Sequence, residues 1–363
     1  MLDMILLGFV VAIALLVALW AHALFWRRRI ALALPYAETH RIATADKSAI
    51  ELRRVTQPVA QVLPPVLLVH GIAINHRNMD THPDYSLARA LAKTGRDVWL
   101  LTLRSGRSDL TADERKNANF AAIATHDVPL AVAEVLRRTG HKHLDYVGFS
   151  MGGILLYATL GRAVPIESVR RAVIMGSPGR VAPILPGLKW LLSLPHWLIP
   201  NIPLRWPSAL VIFCSEWFAT PLHHIPINPH NSAKGMVRQT LADAVQDIPG
   251  PLMRDLATWA YGGGAIRIGD DHALQGLRHI PIPVHFFAGA ADNLGPPASL
   301  RVAYDAWGID VGAPKTFTEL SVANGHSANY GHADLTVGKQ VHAEVYAPII
   351  AFLAQKDAAA VAA

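Results

Sequence analysis

The 363-residue chain has almost no cysteine and little charge. Its one cysteine, Cys214, excludes an intrachain disulfide framework and a structural zinc site of the multi-cysteine kind, and fits a reducing compartment. Charged residues make up only 17% of the sequence. The formal net charge of +6 is spread among interleaved acidic residues except at Arg27, Arg28 and Arg29, so nucleic acid is not an expected partner. Gly-X-Y periods, heptad runs and repeats of solenoid length are all missing. Low complexity is confined to an alanine-rich tail, residues 357–363, which should fray. Without an H-E-x-x-H or other carboxylate–histidine spacing, His223, His224, Asp270, Asp271 and His272 read as surface or cap residues, and no metal is expected.

What the chain does have is a long apolar run at its start. Residues 4–26 read MILLGFVVAIALLVALWAHALFW, about 34 Å as a helix and long enough to cross a bilayer. A cleaved signal peptide competes, since Ala21-His22-Ala23 loosely resembles a cleavage site, but the positive n-region of such a peptide is missing. The three arginines follow the run directly. The positive-inside bias therefore predicts an uncleaved single-pass anchor over residues 1–29, with the remainder in the cytoplasm.

Residues 30–61 are polar and read as a linker or extension. Beyond them the chain alternates strand and helix. Residues 65–71, PVLLVHG, have the continuous aliphatic character of a strand buried on both faces. Residues 87–94 read as a helix stopped by Gly95, and 97–103 as the next strand. Asp127 is placed to cap a helix running to Arg138, with Gly140 past its end, and 144–148 is again a short strand. Strands at 171–176, 284–289 and 316–322 and a closing helix at 341–354 complete a mostly parallel α/β pattern. This core spans 62–178 and 281–356. Between them, 179–280 is broken by prolines and rich in tryptophan (Trp190, Trp197, Trp206, Trp217), which predicts an inserted cap of short helices over a lipophilic site. Packed core helices are the plainer alternative.

Chemistry is concentrated at Gly148-Phe149-Ser150-Met151-Gly152. A G-x-S-x-G string occurs by chance in about one chain in ten of this length, so its context must carry the reading. Here a strand precedes it and the helical segment 153–160 follows. A sharp strand-to-helix turn presents Ser150 as a nucleophile at a helix N-terminus, where the Met151 N–H and the helix dipole favour a developing oxyanion. The second oxyanion donor is assigned to the Ile72 N–H, in the loop after the first buried strand; Gly71 permits close approach there, and His70 reads as a structural histidine. In sites of this type an acid and then a histidine follow the serine, each after a late strand. Asp292 closes the strand and small-residue turn VHFFAGAAD and meets the first condition, though a turn-bonding role would suit it too. His326 and His332 both meet the second, and the residues alone leave them tied.

These segments in order (PPVLLVHGI, LARALAKTGRDVWLLTLRSGRSD, GFSMGG, GAAD and YGHADLTVG) resemble the α/β-hydrolase superfamily and, more narrowly, its acid-lipase-like branch, from about residue 64 to 353. That branch carries its catalytic histidine in a Y-x-H-x-D context, which favours His332. The resemblance implies the α/β-hydrolase fold and a serine hydrolase of lipophilic carboxylic esters, with Ser150, Asp292 and His332 as triad and no cofactor. An acyltransferase with the same triad, or a non-catalytic membrane-bound binding protein, are the alternatives.

Overall fold

The computed structural model describes residues 2–55, 63–183, 186–194, 199–217, 219–220 and 223–355. An eight-stranded sheet forms its centre: β1 (Glu38–Ala43), β2 (Ala49–Arg54), β3 (Val66–Val69), β4 (Val98–Thr102), β5 (Leu144–Phe149), β6 (Val169–Met175), β7 (Val284–Gly289) and β8 (Lys315–Leu320). Their spatial order is β1-β2-β4-β3-β5-β6-β7-β8. The pairings β1–β2 and β2–β4 are antiparallel and all the others parallel.

Apolar runs make the inner strands β3 to β7 because both faces are covered. Leu67 and Val69 point into one core with Trp99, Leu101 and Tyr146, packed by helices α3 (Val128–Thr139) and α4 (Met151–Thr159). Val66 and Leu68 point into the other with Val98, Val147 and Phe287, packed by α2 (Leu87–Ala92) and the closing helix α8 (Ala347–Ala354).

Three expectations need correction. The stretch 30–61 is not merely a linker, since it holds β1 and β2. Ile42, Ile50 and Leu52 alternate with polar residues and face the core, a period-two signal diluted by the polar outer face. Asp127 does not cap α3: a turn of π-helix, 123–127, already precedes it, and its buried carboxylate instead accepts the Arg104 N–H and Nε–H at 2.9 and 2.8 Å. The insertion 179–280, expected as a cap, is in part packed core, the plainer alternative. Its helix α7 (Gly250–Tyr261) sends Leu252 and Trp259 into the first core, where Trp259 meets Phe120 edge-on at 4.7 Å. The expected fraying tail, 357–363, lies outside the described residues.

The rest of the insertion has the short, proline-broken helices expected, among them α5 (Arg205–Val211) and α6 (Met236–Asp243). At the N-terminus, α1 (Leu2–Ile30) is the one helix among the described residues long and apolar enough to cross a membrane. Its last turns dock on the cap. Ala23 is fully buried against Ala209, Ile212 and Ala242; His22 Nε2 lies 3.2 Å from the Leu210 carbonyl, and Arg27 Nε–H donates to that of Ala242 at 3.1 Å.

Candidate active site

The turn between β5 and α4 puts Ser150 at φ 53°, ψ −119°, a left-handed conformation that costs a non-glycine residue roughly 1–3 kcal/mol. The surrounding packing enforces it. Ser150 N–H donates to the Met175 carbonyl at 2.8 Å, and a side chain at Gly152 would collide with the Val69 carbonyl, so the motif glycines are steric requirements. Ser150 is half-buried and its Oγ has no hydrogen-bond partner among the described residues.

Asp292 and His332 come together. His332 Nδ1 lies 2.7 Å from Asp292 Oδ2, with both side chains nearly closed to solvent. An ionised carboxylate only accepts, so Nδ1 carries the hydrogen and Nε2 is left with its lone pair. Asp292 Oδ1 also accepts the N–H groups of Leu294 and Gly295 at 2.8 and 2.7 Å, so the turn-bonding role and the histidine-orienting role coexist in one carboxylate. His332 packs against Phe149, the residue before Ser150, with ring centroids 4.8 Å apart. His326 is elsewhere: its Nδ1 faces the Ser321 carbonyl at 3.3 Å and reaches no carboxylate on that side.

The backbone of Gly71 runs against the serine, since a Cβ on it would stand 2.8 Å from Ser150 Cβ and 3.3 Å from Oγ. That close approach carries the Ile72 loop to the site. Neither the Ile72 nor the Met151 N–H has an acceptor among the described residues. His70 is structural: fully buried, it places Nδ1 2.7 Å from the Gly71 carbonyl and accepts the Leu103 N–H on Nε2 at 3.1 Å. Burial lowers its pKa to about 4.

Two residues escaped the sequence reading. Asp334, buried two positions after His332, accepts the Gly331 N–H at 2.8 Å, the Asn228 N–H at 3.1 Å and the Ser232 hydroxyl at 3.1 Å. Burial raises its pKa, against the pull of those donors. It sews the histidine loop to the cap. Asp243, at the end of α6, accepts on Oδ2 from Arg77 Nη2 at 3.1 Å and from the Leu32 N–H at 3.0 Å, so it ties the cap both to the segment following Ile72 and to the segment following α1. Further cap contacts reach each candidate loop: Gln246 N–H to the Ala73 carbonyl, Ala333 N–H to that of Pro226, and Asn293 Nδ2 to that of His224, all at 2.7 Å. The H-x-D spacing hinted at Asp334; nothing local marks Asp243.

Comparison with known proteins matches residues 64–333 to the family described as alpha/beta hydrolase fold. Curated relatives are lipases. Gastric triacylglycerol lipase of Bos taurus is 30% identical over 142 residues, 34% of this chain and 35% of that protein. Lipase 1 of Drosophila melanogaster is 33% identical over 124 residues, 32% and 28% of the two chains. The match thus spans about a third of these relatives' length. Among solved structures, an esterase from Exiguobacterium antarcticum superposes with a TM-score of 0.56 at 14% identity, covering 88% of this chain and 100% of that one. An esterase from Rhodococcus sp. gives 0.54 at 17%, covering 87% and 98%. At such identities they speak for the fold alone.

Proposed function

Because the chain belongs to the alpha/beta hydrolase fold family, we propose that it is a serine hydrolase of lipophilic carboxylic esters, held at a membrane by α1. The observation that carries this reading is the buried Asp292–His332 pair, 2.7 Å long, packed on Phe149, the residue before a strained serine at the head of a helix. In this mechanism His332 Nε2 takes the proton from Ser150 Oγ as the oxygen attacks the ester carbonyl. Asp292 holds the imidazole tautomer and stabilises the imidazolium. The negative charge that develops on the carbonyl oxygen is met by the N–H groups of Ile72 and Met151, both without another acceptor. Collapse expels the alcohol, which takes the proton from His332, and leaves an acyl group on Ser150. Water then attacks that acyl group with His332 again as base.

Lipase relatives support a lipophilic acyl or alcohol group. The apolar α1, with Arg27, Arg28 and Arg29 in its last turn, supports a single-pass anchor and a cytoplasmic site. Turnover of p-nitrophenyl esters of increasing chain length by detergent-solubilised protein tests the reading. Ser150→Ala and His332→Ala are expected to lose at least about a thousandfold in kcat, with His326→Ala close to wild type. A wild-type protein that neither turns over any ester nor reacts with a fluorophosphonate would overturn it.

A further inference from the structure

The docking of α1 on the cap fixes where a bilayer would meet the rest of the molecule. Residues 3–21 of α1 are all exposed. Nineteen residues of helix rise about 28 Å, close to the roughly 30 Å of a bilayer's hydrocarbon core. Contact with the body begins at His22 and Ala23. A span that uses the free residues therefore sets the boundary of the hydrocarbon at His22, and whatever packs against His22 lies at that depth.

What packs there is the end of α5 and the turn after it. Phe213 meets the His22 ring edge-on at 5.0 Å and stacks on Trp26 at 6.1 Å; Trp217 in turn meets Phe213 edge-on at 5.3 Å. At the end of α5 and in the turn after it, Val211 is 47% exposed and Trp217 66%. Tryptophan is enriched at the headgroup level of membranes because its ring is apolar while its N–H can still reach water or headgroup oxygens. Just beyond the boundary Arg28 and Arg29 are exposed, where anionic headgroups would attract them.

We propose that the cap surface at the end of α5 that carries Val211 and Trp217 lies in the headgroup layer of the bilayer that α1 spans. The phospholipid surface is its partner. This rests on reading α1 as a transmembrane anchor, and it places the cap on the side from which a membrane-dissolved ester would arrive. Its independence from the reaction chemistry makes it separately testable.

Cys214 sits between Phe213 and Trp217 and is the chain's only cysteine, so a nitroxide attached to it reports on this surface alone. The full chain would be reconstituted in vesicles of phosphatidylcholine and phosphatidylglycerol. Collisions of the label with oxygen, which partitions into lipid, and with a water-soluble nickel chelate are then compared. The reference is a label on Lys142→Cys in a Cys214→Ala background, an exposed position just before β5 at the opposite end of the sheet from Ser150. The expected result is an oxygen-to-nickel ratio several-fold higher at Cys214 than at position 142. Equal ratios would overturn the proposal, and if a soluble short-chain ester is still hydrolysed in the same vesicles, the hydrolase reading survives that failure. Low nickel access accompanied by label–label broadening that grows with protein density would also overturn it, since a second copy of the chain would then cover the face. A high ratio without ester turnover would uphold the surface and count against the hydrolase.

Discussion

Ser150 occupies a backbone conformation that its neighbours enforce, and the closest of them is Gly71. Gly71→Ala would bring a methyl to 2.8 Å from Ser150 Cβ. Neither backbone can yield freely, because Ser150 N–H is bonded to Met175 and the loop after Gly71 is bonded to the cap through Ala73. A displacement of the serine or the Ile72 N–H by a fraction of an ångström should follow. We expect kcat/KM to fall by about a hundredfold with little change in thermal midpoint, and wild-type turnover in this variant would show that the loop does not help form the site. At this scale the sequence was legible where chemistry is local. The serine and its glycines stood out, as did Asp292, because a strand-to-helix turn and a post-strand turn have their own residue requirements. His326 and His332 both follow β8 and their residues alone left them tied; the Y-x-H-x-D resemblance favoured His332, and in the fold the Tyr330 to Asp334 loop returns to Asp292 while His326 remains beside Ser321.

Among the elements, the core strands were readable because burial on both faces leaves a continuous aliphatic signature. β1 and β2 were missed because strands with one polar face look like linker when read for hydrophobicity alone. The cap's short helices were legible from its prolines, but not its attachments. Those rest on side chains such as Asp243 and Asp334, whose partners lie far away in sequence. Asp243→Ala would remove the acceptor shared by Arg77 and the Leu32 N–H and leave a nearly buried guanidinium without its counter-charge. Loss of about 2–4 kcal/mol in denaturant unfolding is expected, together with a drop in kcat, since Arg77 belongs to the segment that follows Ile72. Asp243→Asn keeps one acceptor oxygen and should fall between. A substitution that is neutral in both measurements would mean that the cap is held by other contacts.

For the molecule as a whole, buried histidines weaken the fold in acid, and the carboxyls of Asp127, Asp255 and Asp334, whose pKa values burial raises, act in the opposite direction. Burial lowers the pKa of His70 and of His285 to about 4, and that of His76 well below its ordinary value. In the unfolded chain these groups take up protons near pH 6.5. Between pH 6.5 and 4 the unfolded state therefore binds more protons at these histidines than the folded one, and their contribution to stability falls as the pH is lowered through that window. At pH 5 the loss is about 2 kcal/mol for each of His70 and His285. The thermal midpoint should decline from pH 7 to 5, and His285→Gln, which can still bond Thr318, should flatten that decline. A decline in His285→Gln as steep as in wild type would mean that His285 is accessible to protons in the folded chain.

Among the described residues, contacts join α1 to α5 and α6, and α6 through Asp243 to the segment beside Ile72, so the long apolar helix is linked to the candidate site. With α1 in a bilayer, the protein would drift laterally with its candidate site at a constant height and meet the proposed ester in two dimensions. The quantity that governs its rate would then be molecules of ester per area of membrane, and dilution of the surrounding buffer would leave that quantity unchanged.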